Sequence, residues 1–187
     1  GRREMAELLV GAAADPNCAN ANGETPIFGA VRCRQDGVRM MRLLIGARCV
    51  CDVENKRQVT VLRLALERNR EPEVLELLVE SKADPNRVLS SGQTTLADVA
   101  SKPKKPHAAR VLEQLLTLKA DPNHPGPKGT ALHLAVHEPG GLPMVKLLLA
   151  AAASPNVEGP SGQAALLAAI LSASKDVGEI VPLLLEA

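Results

Sequence analysis

The chain has 187 residues, 45% of them hydrophobic and 23% charged, and carries a formal net charge of +1. That composition lies well away from the disordered class, and the near-zero charge supplies no global field for nucleic acid or an anionic membrane. The longest apolar run, about 144–153, is interrupted by Lys146 and falls far short of the roughly 20 residues a membrane-spanning helix needs.

Phe28 is the one aromatic residue; there is no Trp and no Tyr. Ala and Leu must therefore fill volume that aromatics, at about 150–250 Å² each, usually fill. Small uniform side chains suit thin layers stacked at close range.

In chain order, the first pattern is residues 5–17, Met-Ala-Glu-Leu-Leu-Val-Gly-Ala-Ala-Ala-Asp-Pro-Asn, which predicts a leading outer helix over about 1–14. A turn-rich stretch follows and leads into Thr25-Pro26-Ile27-Phe28. Thr is a good N-cap and Pro suits the first helical position, so a short helix starts here. Residues 40–52 repeat the first block, keeping Leu43-Leu44-Ile45 but ending Cys49-Val50-Cys51-Asp52. The same alternation continues through Thr60–Ala65, block 74–86, Thr94–Val99, block 111–123, Thr130–Ala135, block 144–156, Ala164–Ala169 and a last start at Ile180. The blocks begin at 5, 40, 74, 111, 144 and 180, with intervals of 35, 34, 37, 33 and 36.

Each block carries an apolar stripe, as at Val74, Leu77 and Leu78, spaced i, i+3, i+4 for a helix. The Ala-Asp-Pro-Asn ending is expected to stop that helix, because proline lacks the amide donor and restricts its predecessor. Leu8, Leu9, Leu43, Leu44, Leu77, Leu78, Leu115, Leu147 and Leu148 are the expected core. Each unit reads as loop, short helix, turn, second helix.

The period, the threonine element and this order resemble the ankyrin repeat, with Thr130-Ala131-Leu132-His133-Leu134-Ala135 as the nearest copy. The resemblance implies an all-α repeat fold: an ankyrin solenoid of helix-turn-helix units joined by β-turn or hairpin-like loops. A single array over 1–187 is expected, with repeats about 15–49, 50–83, 84–120 and 121–153 and a truncated one at 154–187. The departures are the links between helices, longer than the family's short Gly-His turn. They include Ser101-Lys-Pro-Lys-Lys-Pro106 and Glu138-Pro-Gly-Gly-Leu-Pro143, and such lengthening costs little in closure entropy. Arrays of this kind need polar end caps, whereas Met5–Val10 and Ile180–Leu185 are apolar. Further repeats or a partner are expected over them.

What the resemblance implies for function is a non-catalytic protein–protein interaction module. It would bind a protein partner through loop tips and the concave face of the inner helices. By alignment the inner-helix positions are Arg32, Cys33, Glu67, Arg68, Ser101, Lys102, His137 and Glu138. The loop positions are Asn22, Glu24, Lys56, Arg57, Ser91 and Gln93, with Gly126, Pro127 and Gly129 in the fourth loop. The alternative is a structural or peripheral subunit of a large multiprotein assembly, held by its ends and outer helices.

Cofactor and metal chemistry has little to stand on. The chain lacks G-x-S-x-G, H-E-x-x-H and G-x-x-x-x-G-K-[ST] patterns, so no enzyme activity, cofactor or metal is expected. His133 and His137 stand at i, i+4, but His133 matches the family's structural histidine and Pro139 ends the helix at once. Cys18, Cys33, Cys49 and Cys51 crowd into the first third and read as reduced thiols rather than a disulfide framework. An intracellular, reducing location follows as the expectation, cytoplasmic rather than nuclear, with an organelle left open. The basic run Lys102-Pro-Lys-Lys-Pro-His107 is a weak match to a nuclear-localisation patch. The lack of stacking aromatics argues against single-stranded nucleic acid.

Overall fold

The computed structural model describes residues 8, 11–12, 14–68, 72–105, 107–172 and 174–187. Most of the expected leading helix, and with it Leu9 and all of the Met5–Val10 stripe except Leu8, lies outside the described residues. Two compact units are present, Gly1–Asp84 and Pro85–Ala187.

The first unit holds α1 (Pro26–Arg32), α2 (Gly37–Gly46), α3 (Val61–Glu67) and α4 (Pro72–Glu80). The second holds α5 (Thr95–Ala100), α6 (Ala108–Thr117), α7 (Ala131–His137), α8 (Leu142–Ala150), α9 (Ala165–Leu171) and α10 (Val177–Glu186). There is no strand among the described residues. Isolated antiparallel bridges at Glu54–Thr60, Val88–Thr94 and Gly126–Gly129 pin three of the loops as hairpins.

Within each unit the odd-numbered helices, the short threonine-type elements, form an inner row and the even-numbered helices an outer row. In the first unit α1 packs on α2 and α3, and α4 on both α2 and α3. In the second, α7 packs on α5, α8 and α9, while α8 packs on α6 and α10. Each helix therefore buries its stripe against a pair partner and a neighbour in its own row, the nearest-neighbour logic of a repeat fold. Ile27, Phe28, Met41, Leu66 and Leu78 fill the first core; Leu96, Leu112, Leu115, Leu132, Met144, Leu148 and Ile180 fill the second.

Of the expected core leucines, Leu44, Leu77, Leu78, Leu115 and Leu148 are buried. Leu43 and Leu147 are half-buried, and Leu8 is 70% exposed. The bare C-terminal face also differs from expectation. Ile180 and Leu184 are buried, and the exposed apolar side chains are Leu167, Ile170, Leu171 and Leu185.

Threonine starts the inner helices as expected, with one exception. The Thr60 side chain accepts from the Arg63 amide and the Thr94 side chain from the Ala97 amide. Thr130 and His133 close a reciprocal capping box, satisfying two donors at once. Thr25 makes no such cap: the Phe28 amide donates to the Thr25 carbonyl instead. The Thr25 hydroxyl is buried without a partner among the described residues.

The outer helices end earlier than the proline predicts. Arg48, Lys82, Lys119 and Ala152 all have positive φ, between 61° and 67°. At each, the next residue's amide bonds back five residues: Cys49 to Leu44, Ala83 to Leu78, Ala120 to Leu115 and Ala153 to Leu148. The positive-φ residue itself bonds to Ile45, Val79, Leu116 or Leu149. This paired pattern is the Schellman motif. It satisfies the last carbonyls and stops the helix before the Ala-Asp-Pro-Asn tetrad begins.

The tetrad has a different task. The Asn17 side chain accepts from the Val50 amide (2.7 Å) and reaches the Arg48 carbonyl (3.4 Å). Asn123 does the same three repeats later, with the Ser154 amide (2.7 Å) and the Ala152 carbonyl (3.2 Å). The asparagine thus latches one repeat to the helix end of the next.

Candidate interaction surface

The loops before the inner helices are tight hairpins. In the first, the Asn20 amide donates to the Glu24 carbonyl and the Gly23 amide to the Asn20 carbonyl; the second repeats this between Asn55, Val59 and Gln58. A left-handed residue closes every one: Gly23, Gln58, Gly92, Gly129 and Gly162. Glycine takes that conformation without strain, and Gln58 is the exception. The two central residues project as the tip, and all are exposed: Ala21-Asn22, Lys56-Arg57, Ser90-Ser91, Pro127-Lys128 and Pro160-Ser161. Lys128 is absent from the sequence-based set because the fourth hairpin is one residue shorter, which moves the tip onto it.

In the first unit the predicted residues come together. The Lys56 amide donates to the Asn22 carbonyl at 3.0 Å, setting the first two tips side by side. Arg32, the last residue of α1, grips Glu24 with both nitrogens at 2.5 and 2.8 Å, and Asn55 donates to the same carboxylate at 3.2 Å. The bond from Arg32, with that from Asn55 and the Arg32 charge, holds the Glu24 carboxyl below its usual range against the opposing effect of burial. The same pairing pushes the Arg32 guanidinium up.

Glu24 and Arg32 line a surface cleft of about 330 Å³ with Cys18, Asn20, Thr25, Pro26 and Gly29. Cys33 follows as the C-cap of α1 and is half-buried. On α3, Glu67 takes the Nε of Arg63 at 2.9 Å, and the Arg63 side chain is only 4% exposed. Sequence reasoning missed Arg63, since it stands where Phe28 stands one repeat earlier. Arg68, the C-cap of α3, is exposed.

In the second unit Ser91 is an exposed tip, His137 is exposed at the end of α7, and Glu138 is half-buried beside it. Ser101 caps α5, donating its hydroxyl to the Asp98 carbonyl at 2.8 Å, and Lys102 pairs with Asp98. Gln93 departs from expectation. It is 6% exposed and packs on Gly126, where a Cβ would stand 2.4 Å from its amide oxygen. Gln93 therefore belongs to hairpin packing, not to an accessible surface. His133 is likewise internal, with Nδ1 against the Thr130 hydroxyl and Nε2 on the Gln163 carbonyl, both at 2.9 Å.

Among the described residues no group of three or more His, Cys, Asp or Glu side chains is placed to hold a metal. No described helix is long and apolar enough to cross a membrane.

A family model of ankyrin repeats in three copies matches residues 1–88, and a model of the single ankyrin repeat matches 129–159. No curated protein matches the chain in sequence. Among solved structures, the chain is similar to the ankyrin repeat domain of Bcl-3, described as a unique member of the IkappaB protein family. The identity is 23%, over 96% of this chain and 77% of that one, with a TM-score of 0.73. That likeness supports the fold. Together the two family models match more than half of the sequence, and the chain belongs to the ankyrin-repeat proteins, whose repeats are in general protein–protein interaction modules and typically non-catalytic.

Proposed function

We propose that this chain binds a protein partner through the hairpin tips and the ends of the inner helices, with the first unit as the principal contact. The observation that carries this reading is the ordered charged edge of that unit. Glu24, Arg32 and Asn55 are locked to one another beside a cleft, and exposed Lys56, Arg57 and Arg68 stand on the same unit. The Glu24–Arg32 pair is held in one geometry, so these two side chains lose little further entropy on binding. The outward cations suit a partner segment bearing carboxylates. On the second unit, Ser91, Ser101, Lys102, His137 and Glu138 offer a contact surface of that unit's own; Gln93 drops out.

The experiment is charge reversal. The Lys56→Glu/Arg57→Glu chain is compared with wild type for binding to the partner that wild type captures, with thermal unfolding recorded on both. The reading expects at least a tenfold loss of affinity, an unchanged Tm and a weaker salt dependence. Unaltered affinity sinks it.

A second reading has its own observation. On α7, His133 and Val136 are buried beneath the neighbouring pair that α9 begins. Their counterparts on α9, Leu167 and Ile170, are 44% and 56% exposed, with Leu171 at 62%. An apolar face of this kind marks a contact site, as expected of a subunit held by its end. Leu167→Lys/Ile170→Lys separates the two readings: it would abolish partner capture only under the second.

A further inference from the structure

We propose that Cys49 and Cys51 form a redox-active dithiol, a modification site that reacts with low-molecular-weight disulfides of the glutathione class and closes to an internal Cys49–Cys51 disulfide. Three observations support this. The sulfurs already touch, at 3.7 Å. The pair replaces the tetrad found elsewhere: Cys49 stands where Ala83, Ala120 and Ala153 stand, and Cys51 where Pro85, Pro122 and Pro155 stand. The two thiols also differ in access, Cys49 being half-exposed and Cys51 buried at 2%.

Proximity makes one proton shared. Deprotonation leaves a thiol facing a thiolate, and contact with Cys49, aided by the Ser81 hydroxyl and opposed by burial, brings the Cys51 thiol down to about 7. Cys49 is correspondingly pushed up by the Cys51 thiolate and by burial. The proton can pass across the contact, so the accessible Cys49 can serve as the attacking sulfur.

The chemistry balances as follows. The Cys49 thiolate attacks one sulfur of the small disulfide; the S–S bond breaks and a thiolate leaves, taking the proton of Cys51. The Cys51 thiolate then attacks the Cys49 sulfur of the mixed disulfide and expels the second thiolate. The two protein sulfurs are oxidised by two electrons, and one small disulfide is reduced to two thiols. Closing the bond requires the sulfurs to approach from contact to about 2.05 Å, a change within reach of side-chain rotation. The ring encloses Val50, whose amide is held by Asn17, so closure bears on the first repeat-to-repeat latch.

The test uses the full chain with Cys18→Ser and Cys33→Ser, which leaves Cys49 and Cys51 as its only thiols. It is equilibrated over graded ratios of oxidised to reduced glutathione, quenched in acid, alkylated after unfolding and weighed intact. The expected product gains no alkyl group and loses two hydrogens, with a single midpoint. Adding Cys51→Ala should instead trap one stable glutathione on Cys49. Cys49→Ala, which installs the residue of the other repeats, should leave Cys51 as a thiol. Two alkylated thiols at every ratio, a double glutathione adduct or linked dimers in place of the internal ring would each overturn the proposal.

Discussion

Asn86 donates its side-chain amide to the Lys119 carbonyl at 3.3 Å while its side-chain oxygen accepts from the Asp121 amide at 2.6 Å. One short side chain therefore satisfies two backbone groups at the helix end of the next repeat. Asn86→Ala should destabilise the fold by about 1–3 kcal/mol, because it removes two hydrogen bonds each worth roughly 0.5–1.5 kcal/mol net. At the matching position of the second repeat, Asp52 accepts from the Asp84 amide at 3.4 Å but has no amide to donate. Asp52→Asn should add the second bond and stabilise by up to about 1 kcal/mol. Urea unfolding of the two variants checks both signs.

Lys119 itself sits at φ 67°, a conformation that costs a non-glycine residue roughly 1–2 kcal/mol. Lys119→Gly relieves that cost and gives back part of it as unfolded-chain entropy. A net gain of about 0.5–1 kcal/mol is expected, with Lys119→Ala close to neutral. Equal effects of the Gly and Ala variants would show that the side chain, not the backbone, sets the sign.

The fold was legible because its signal recurs. The stripe Val74, Leu77, Leu78 and the threonine starts repeat in phase, and three of the threonines cap as expected. Helix ends were less legible. Proline was the visible breaker, but Arg48, Lys82, Lys119 and Ala152 do the stopping, and none is a residue whose chemistry announces a left-handed turn. The tips were legible except where a one-residue deletion moved the fourth onto Lys128. Burial of Gln93 was not, since it depends on Gly126 lying opposite. Nor was Arg63, whose buried head is answered by Glu67 one turn later.

His133 links two repeats, since its Nε2 meets the Gln163 carbonyl. A carbonyl only accepts, so Nε2 donates and Nδ1 is left to accept from Thr130. His133→Leu keeps an apolar body of similar size but removes the capping box and this link. A loss of about 2–3 kcal/mol is expected, whereas His137→Leu, at an exposed position, should cost less than about 0.5 kcal/mol. Chemical denaturation of the pair measures the difference.

Acid should weaken the charged edge. Glu24 has its folded value lowered, first by the bond from Arg32, from an ordinary value of 4.5. Its contribution is complete above that unfolded value and is lost as pH falls through the lower folded one. Arg32 is 36% exposed, so solvent screening limits the pair to about 1 kcal/mol. Glu24→Gln should therefore be less stable than wild type at pH 7, and the gap should close below pH 4.5. A gap that persists in acid would assign the stabilisation to packing.

The central claim, that a protein partner lies along the hairpin tips and inner-helix ends, is tested most directly by cross-linking the native complex and mapping the linked lysines by mass spectrometry. The account predicts links from Lys56 and Lys102 to one dominant partner, with Lys146 on the outer helix α8 and Lys175 silent. Links confined to Lys146, Lys175 and the chain ends, spread over several subunits, would contradict it.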